Sequence, residues 1–279
     1  MKILILTIKG HIYGNFILKK LLFEYFPDDI FAIFESTVLL PSHSDSKALR
    51  KYLKISGWYY VISQVFKVYA FHLLWLIGRI LHVKKIGSSF VYWKSLNNSY
   101  LKGVKSFDVD NIKSSRTLKL AEWIKPDLLI SLYFNQIIPQ SITSLPSLGA
   151  YNIHPAKLPE YKGISPIFWV LAENRRDTGI TIHEITQKID EGNIVSQAEV
   201  SIGKNDSEHT LYARCTIIGL ELLKDLILNL KKEIYPDETS SEIGGFYRSI
   251  PTKGAVKNFR RRGAKFFRFG ELVKNFDQL

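Results

Sequence analysis

The chain has 279 residues, 46% hydrophobic and 23% charged, which excludes a disordered chain and leaves room for one large domain with a small appendage. A single cysteine excludes an internal disulfide and a cysteine-based zinc site, and fits a reducing, cytoplasmic setting. The formal charge of +12 points to anionic company (a phosphate-bearing molecule, nucleic acid or a membrane surface) without choosing among them.

Residues 1–7 carry an apolar run too short for a signal peptide, with no small-residue cleavage site, and read as a buried first strand. In 10–26, Phe16, Ile17, Leu21, Leu22 and Tyr25 recur at helical spacing, and 31–34 is a second strand. Strand, helix, strand predicts an α/β fold with a doubly wound, mostly parallel sheet. Gly10 and Gly14 alone do not make a dinucleotide fingerprint.

The segment 57–83 is apolar and aromatic, from Trp58, Tyr59 and Tyr60 to Trp75, Leu76 and Ile77. Between Lys67 and Arg79 it is too short to span a bilayer, which needs about 20 apolar residues. Three readings stay open. One is a pair of core helices on the sheet. Another is an interfacial helix with Lys67, Arg79, Lys84 and Lys85 at lipid headgroups. The third is a dimer interface.

Further along, 105–109 reads as a strand, and Ser114 or Ser115 caps a helix that runs to Ile124. Pro126 and Asp127 stop that helix before a strand over 128–132. The next strand, 149–153, delivers Asn152 and His154 to its C-terminal end, where open α/β sheets place ligands. Strands follow over 178–185 and 194–202. The segment 208–232 reads as an amphipathic helix with Leu211, Cys215, Ile218, Leu222, Leu226 and Leu230 on one face. Composition then turns polar and basic, which divides the chain into 1–235 and a small extension, 236–279.

Asn152 and His154 are two apart, so both side chains leave the same face of their strand. Pro155 and Pro159 stiffen the following loop, and Gly163 permits a turn. Asp190 stands in a second turn, Ile189-Asp190-Glu191-Gly192. An amide, an imidazole and a carboxylate suit acyl transfer to an amine. Asn152 donates to the developing oxyanion, His154 donates or accepts a proton, and Asp190 holds the imidazole and takes the amine's proton. No serine or cysteine nucleophile is required. His183 reads as a core or rim histidine. The remaining histidines lack metal-ligand spacing. Tyr161 and Lys162 border an acceptor pocket or lie in a solvated loop, and Arg260-Arg261-Arg262 is a solvated face or a phosphate contact.

The stretch from Asn152 to Gly163 resembles the N-x-H-P-S-x-L-P-x-x-x-G signature of the folate-dependent formyltransferase family, which includes phosphoribosylglycinamide, methionyl-tRNA and sugar N-formyltransferases. Four further segments resemble family motifs in the same order: Pro126 to Ile130, Gln136 to Pro139, Gly179 to His183, and Ile189 to Gly192. Ala156 and Lys157 depart from the usual Ser and Leu, and 57–83 has no counterpart in the compact members.

The resemblance implies a Rossmann-like fold with helices on both faces of the sheet. It implies 10-formyltetrahydrofolate as donor, no metal, and Asn152, His154 and Asp190 as the catalytic trio. The pterin would be held by backbone groups of Gln136, Ile137, Ile138, Gln187, Lys188 and Ile189. The region after Lys232 is shorter than the second domain of methionyl-tRNA formyltransferases. Gly245, Tyr247 and Pro251 instead resemble the extension of enzymes that act on amino sugars. The expected partner is therefore a small-molecule amine, foremost an amino sugar on a nucleotide or lipid carrier, rather than nucleic acid. Peripheral membrane contact through 57–83, at the inner face of the membrane, and a homodimer stay open. So do a 10-formyltetrahydrofolate hydrolase and a degenerate folate-binding or membrane-associated module.

Overall fold

Alternation along the central strands separates two apolar layers. A computed structural model describes residues 1–40, 43–80, 104–237, 244–271, 274 and 276. In β1 (Ile3–Ile8), Ile3 and Ile5 join one cluster and Leu4 and Leu6 the other. The first cluster takes in α1 (Ile12–Lys20), α6 (Pro166–Ala172) and α7 (Glu208–Lys231). The second takes in α4 (Ser115–Ile124) and the short α5 (Gln140–Thr143). Helices thus cover both faces, as a sheet apolar on both sides requires.

The main sheet adds β2 (Ile30–Ser36), β3 (Lys105–Val109), β4 (Leu128–Leu132), β5 (Ala150–His154), β7 (Asp177–Glu184) and β8 (Ile194–Ser201), in the order β3-β2-β1-β4-β5-β7-β8. Pairing is parallel up to β5 and antiparallel for the last two strands. The chain builds outward from β1 to β3 and then returns to the other side of β1 with β4. That reversal opens a crevice at the C-terminal ends of β1 and β4.

Local signals account for the helix starts. Ser114 Oγ caps α4 through Thr117 N–H, and Ser207 caps α7 through Thr210 N–H. The inward face of α7 is offset from the expected one. Leu211, Cys215, Leu226 and Leu230 are buried, but Leu220, Leu223 and Ile227 join them while Ile218 and Leu222 are half-buried. Cys215 is fully buried, its thiol donates to the Gly179 carbonyl, and burial pushes its pKa up to about 12.

The segment 57–83 departs from a pair of core helices. A separate helix, α2 (Asp45–Ser56), precedes it, and Gly57 at φ 82° turns the chain into one long helix, α3 (Trp58–Ile80). Residues 81–83, Lys84, Lys85 and the Trp75 and Arg79 side chains lie outside the described residues. Among the described residues no helix is long and apolar enough to cross a membrane.

In 236–279, β9 (Tyr247–Arg248) pairs with β6 (Lys162–Gly163), and α8 (Lys253–Arg261) packs on α6 through the stacked rings of Phe259 and Phe168.

Candidate active site

The C-terminal ends of β1, β4 and β5 open into a cavity of about 650 Å³. Asn152, His154 and Asp190 all line it. Antiparallel pairing sets Asn152 directly across from His183 of β7, and its Nδ2 donates to His183 Nε2 over 3.1 Å. His183 Nδ1 lies 2.8 Å from the Glu184 carbonyl and must donate to it. His183 Nε2 is therefore an acceptor for Asn152 when the ring is neutral.

His154 is fixed in the same way. Its Nε2 donates to the Tyr161 carbonyl at 3.0 Å, which turns Nδ1 toward Asp190 Oδ2 at 3.5 Å. Asp190 Oδ1 stands 3.5 Å from His183 Nε2, and Oδ2 accepts the Gly163 N–H at 2.7 Å. Backbone carbonyls thus hold the N–H of each ring away from the carboxylate. With both rings neutral, two nitrogen lone pairs face an anion. One added proton turns either contact into an ion pair, so the cluster is built to accept one proton.

Charge follows the geometry. Burial pushes the His154 imidazole below its ordinary range, opposed by the Asp190 carboxylate. Burial alone would raise the Asp190 carboxyl. A proton on His154 or His183, which charges that ring and in His183 adds a hydrogen bond, together with the Gly163 N–H outweighs it and holds the group well below the usual carboxylate range.

The loops that deliver these groups are strained. Tyr133, Tyr161, Ser165 and Asp190 all have φ between 53° and 57°, a region bulky residues avoid. Gly163, at φ 96°, has no room for a side chain, because a Cβ there would collide with the Arg248 carbonyl and the Tyr247 ring. Pairing with β9 therefore holds the N–H that points at Asp190. Arg248 also bonds Glu173 at 2.7 Å, and Glu173 accepts the Tyr161 hydroxyl at 2.8 Å.

The six residues expected to hold a pterin, Gln136, Ile137, Ile138, Gln187, Lys188 and Ile189, line the same cavity. The Gln136 side chain is committed elsewhere: its Oε1 accepts from Ile112 N–H at 2.9 Å and its Nε2 donates to Ser36 Oγ at 3.0 Å. Tyr161 and Lys162 are neither pocket lining nor solvated loop. Both are buried, with Lys162 tied to Glu191 at 3.1 Å. Arg260 lies 4.2 Å over the Tyr59 ring.

Two features escaped the sequence reading. His183 is buried, as a core histidine would be, yet it also contacts Asn152 and Asp190. Its place on a strand antiparallel to the one carrying Asn152 was the available signal. The other feature is the wall supplied by α3, where Tyr60, Gln64 and Lys67 line the cavity. Gln64 and Lys67 both donate to Glu208 Oε2 of α7, at 2.8 and 3.1 Å.

A sequence profile described as formyl transferase matches residues 99–243. The bifunctional polymyxin resistance protein ArnA of Wigglesworthia glossinidia brevipalpis is 30% identical over 184 residues, covering 65% of this chain and 28% of ArnA. The chain spans about half or less of the length of the relatives it matches in sequence. A sugar N-formyltransferase from Shewanella sp. FDAARGOS_354 superposes with a TM-score of 0.55 at 22% identity, over 90% of this chain and 77% of that one. An N-formyltransferase from Helicobacter canadensis, in complex with folinic acid and dTDP-3-aminofucose, superposes with a TM-score of 0.54 at 20% identity, over 97% and 82%. At these identities the superpositions establish the Rossmann-like fold.

Proposed function

The chain belongs to the formyl transferase family, and from that premise we propose that it moves a formyl group from 10-formyltetrahydrofolate to a primary amine of an amino sugar on a nucleotide or lipid carrier. The observation that carries this reading is the Asp190 carboxylate, faced by His154 Nδ1 and His183 Nε2 at 3.5 Å each with Asn152 alongside.

The bound donor supplies the formyl carbon and, as leaving group, a nitrogen that needs a proton. The protein does the rest. One Asn152 N–H is spent on His183 Nε2, and the second is available to the formyl oxygen as it gains charge. As the amine nitrogen bonds to the formyl carbon, the pair of Asp190 and His154 Nδ1 takes up the proton the amine must lose. The same pair returns it to the departing nitrogen as the old carbon–nitrogen bond breaks. His183 positions Asn152. Backbone groups of Gln136, Ile137, Ile138 and the turn over Gln187, Lys188 and Ile189 hold the donor, with the apolar walls of Ile137, Ile138 and Ile189 against a flat ring.

Three features support an amino-sugar acceptor. The cavity extends beyond the trio to Tyr60, Gln64, Lys67 and Glu208, enough for a second ligand of polar character. The chain carries +12 charge, suited to a diphosphate. The H. canadensis neighbour was solved with a nucleotide-linked amino sugar.

The test is mass spectrometry of reactions containing 10-formyltetrahydrofolate and a panel of nucleotide-linked 3-amino and 4-amino sugars, with glycinamide ribotide and buffer alone as comparisons. Gain of one formyl group on a sugar is the expected result. Donor consumed in buffer alone would replace the reading with a hydrolase. Donor bound but not consumed with any amine would replace it with a binding module.

A further inference from the structure

Helix α3 is turned inside out. Its inward side carries polar Gln64 and Lys67 between buried Tyr60 and Phe71, while its outward side is apolar apart from His72. Trp58, Ile62, Tyr69, Leu73, Leu76 and Ile80 follow one another at spacings of three, four and seven, so they share one stripe. Trp58 is 66% exposed, Tyr69 72% and Ile80 64%. Over 23 residues the stripe runs about 33 Å. That exceeds the scattered apolar residues of an ordinary surface and marks a contact site.

The stripe has a cationic border. Helix α2, packed against α3, exposes Arg50, Lys51 and Lys54. Helix α8, which adjoins α2, exposes Lys257 and Arg261, and its Arg260 stacks on Tyr59 at the start of α3. The loop beyond α8 extends the apolar surface, since Phe267 stacks on Phe66 at 5.7 Å and Phe269 is 75% exposed. Neither α3 nor α8 contains an acidic residue, and α2 has only Asp45.

We propose that the outer face of α3, with the cations of α2 and α8, docks on an anionic lipid surface. The apolar stripe enters the interfacial region while the flanking lysines and arginines meet the headgroups. A second copy fits less well. Two-fold pairing of this face with itself brings the α2 and α8 cations of each copy toward those of the other, with Asp45 the one acid on these helices. Docking of this face needs neither donor nor acceptor of the reaction proposed above, and vesicle binding reads it without catalysis.

The full chain is sedimented with vesicles of phosphatidylcholine, with and without phosphatidylglycerol, at low and high salt. Binding is expected only with phosphatidylglycerol and is expected to weaken with salt. Tyr69→Glu with Leu73→Glu should weaken it by roughly a hundredfold, as withdrawal of two large apolar side chains requires. Arg261→Glu with Lys257→Glu should weaken it at low salt and flatten the salt dependence. Circular dichroism checks that each variant is folded. Absence of binding at low salt by the folded wild-type chain overturns the proposal, as does equal binding to both vesicle types. So does a concentration-dependent dimer that Tyr69→Glu dissolves, which would assign the face to a second copy.

Discussion

Two walls of one cavity obey opposite rules. On the β5–β7 wall, polar groups are buried and mutually partnered: Asn152, His154, His183 and Asp190 satisfy one another or a backbone carbonyl. On the α3 wall, polar Gln64 and Lys67 also point inward, but the reverse of the same helix leaves large apolar groups in solvent. The first wall is paid for by strain in its loops, at Tyr161 and Asp190. The second has no such compensation inside the described residues. Enclosed chemistry explains the one, and the docking surface proposed above accounts for the other.

The contrast breaks most sharply at Asp190. Replacement with asparagine keeps the shape but removes the proton acceptor. Turnover should fall about 10²–10⁴-fold while the thermal midpoint stays close to that of the parent. Near-parental turnover in the folded variant would remove Asp190 from the mechanism.

A pair of substitutions on α3 separates its two faces. Phe71 is 1% exposed, and Phe71→Ala should cost about 3–5 kcal/mol in denaturant unfolding. Leu73 is 58% exposed, and Leu73→Ala should stay within about 0.5 kcal/mol. Equal losses would mean that the outer face is packed in the free protein.

A smaller loss than that at Phe71 concerns acid. His209 is fully buried beside Tyr13 and Lys67, and burial, then the Lys67 charge, holds its pKa to about 3. The unfolded chain binds that proton near pH 6.5 and the folded chain refuses it, so stability is full above about pH 6.5 and declines as pH falls toward 3. Between about pH 6.5 and pH 5 this histidine should account for about 2 kcal/mol of lost stability. His11, also held to about 3, acts in the same direction. A His209→Gln variant with an unchanged pH slope would show that the loss arises elsewhere.

Legibility in the sequence followed the same divide. Short-range patterns gave the strands β1, β4 and β5, the Ser114 cap and the spacing of Asn152 and His154, because each depends on neighbours within one element. In sequence His183 reads as a core or rim residue, because its partner is 31 residues away and only antiparallel pairing joins them. The tie between β6 and β9 has just two residues per strand, too few for any periodicity to register. In 57–83 composition was legible but direction was not. The polarity of α3 is inverted, with Gln64 and Lys67 facing inward and large apolar groups facing out, so a reading that turns apolar groups toward the core misplaces it, and α2, whose apolar residues are few and partly exposed, gives a weak signal before it.

Cys215 has a practical consequence. It is the chain's one thiol, fully buried, and held protonated up to a pKa of about 12. Reagents that need a thiolate will pass it by at neutral pH. A cysteine introduced on the outer stripe, as in Tyr69→Cys, would then carry a fluorophore or spin label alone on an otherwise wild-type chain, and a single probe could report what that face meets.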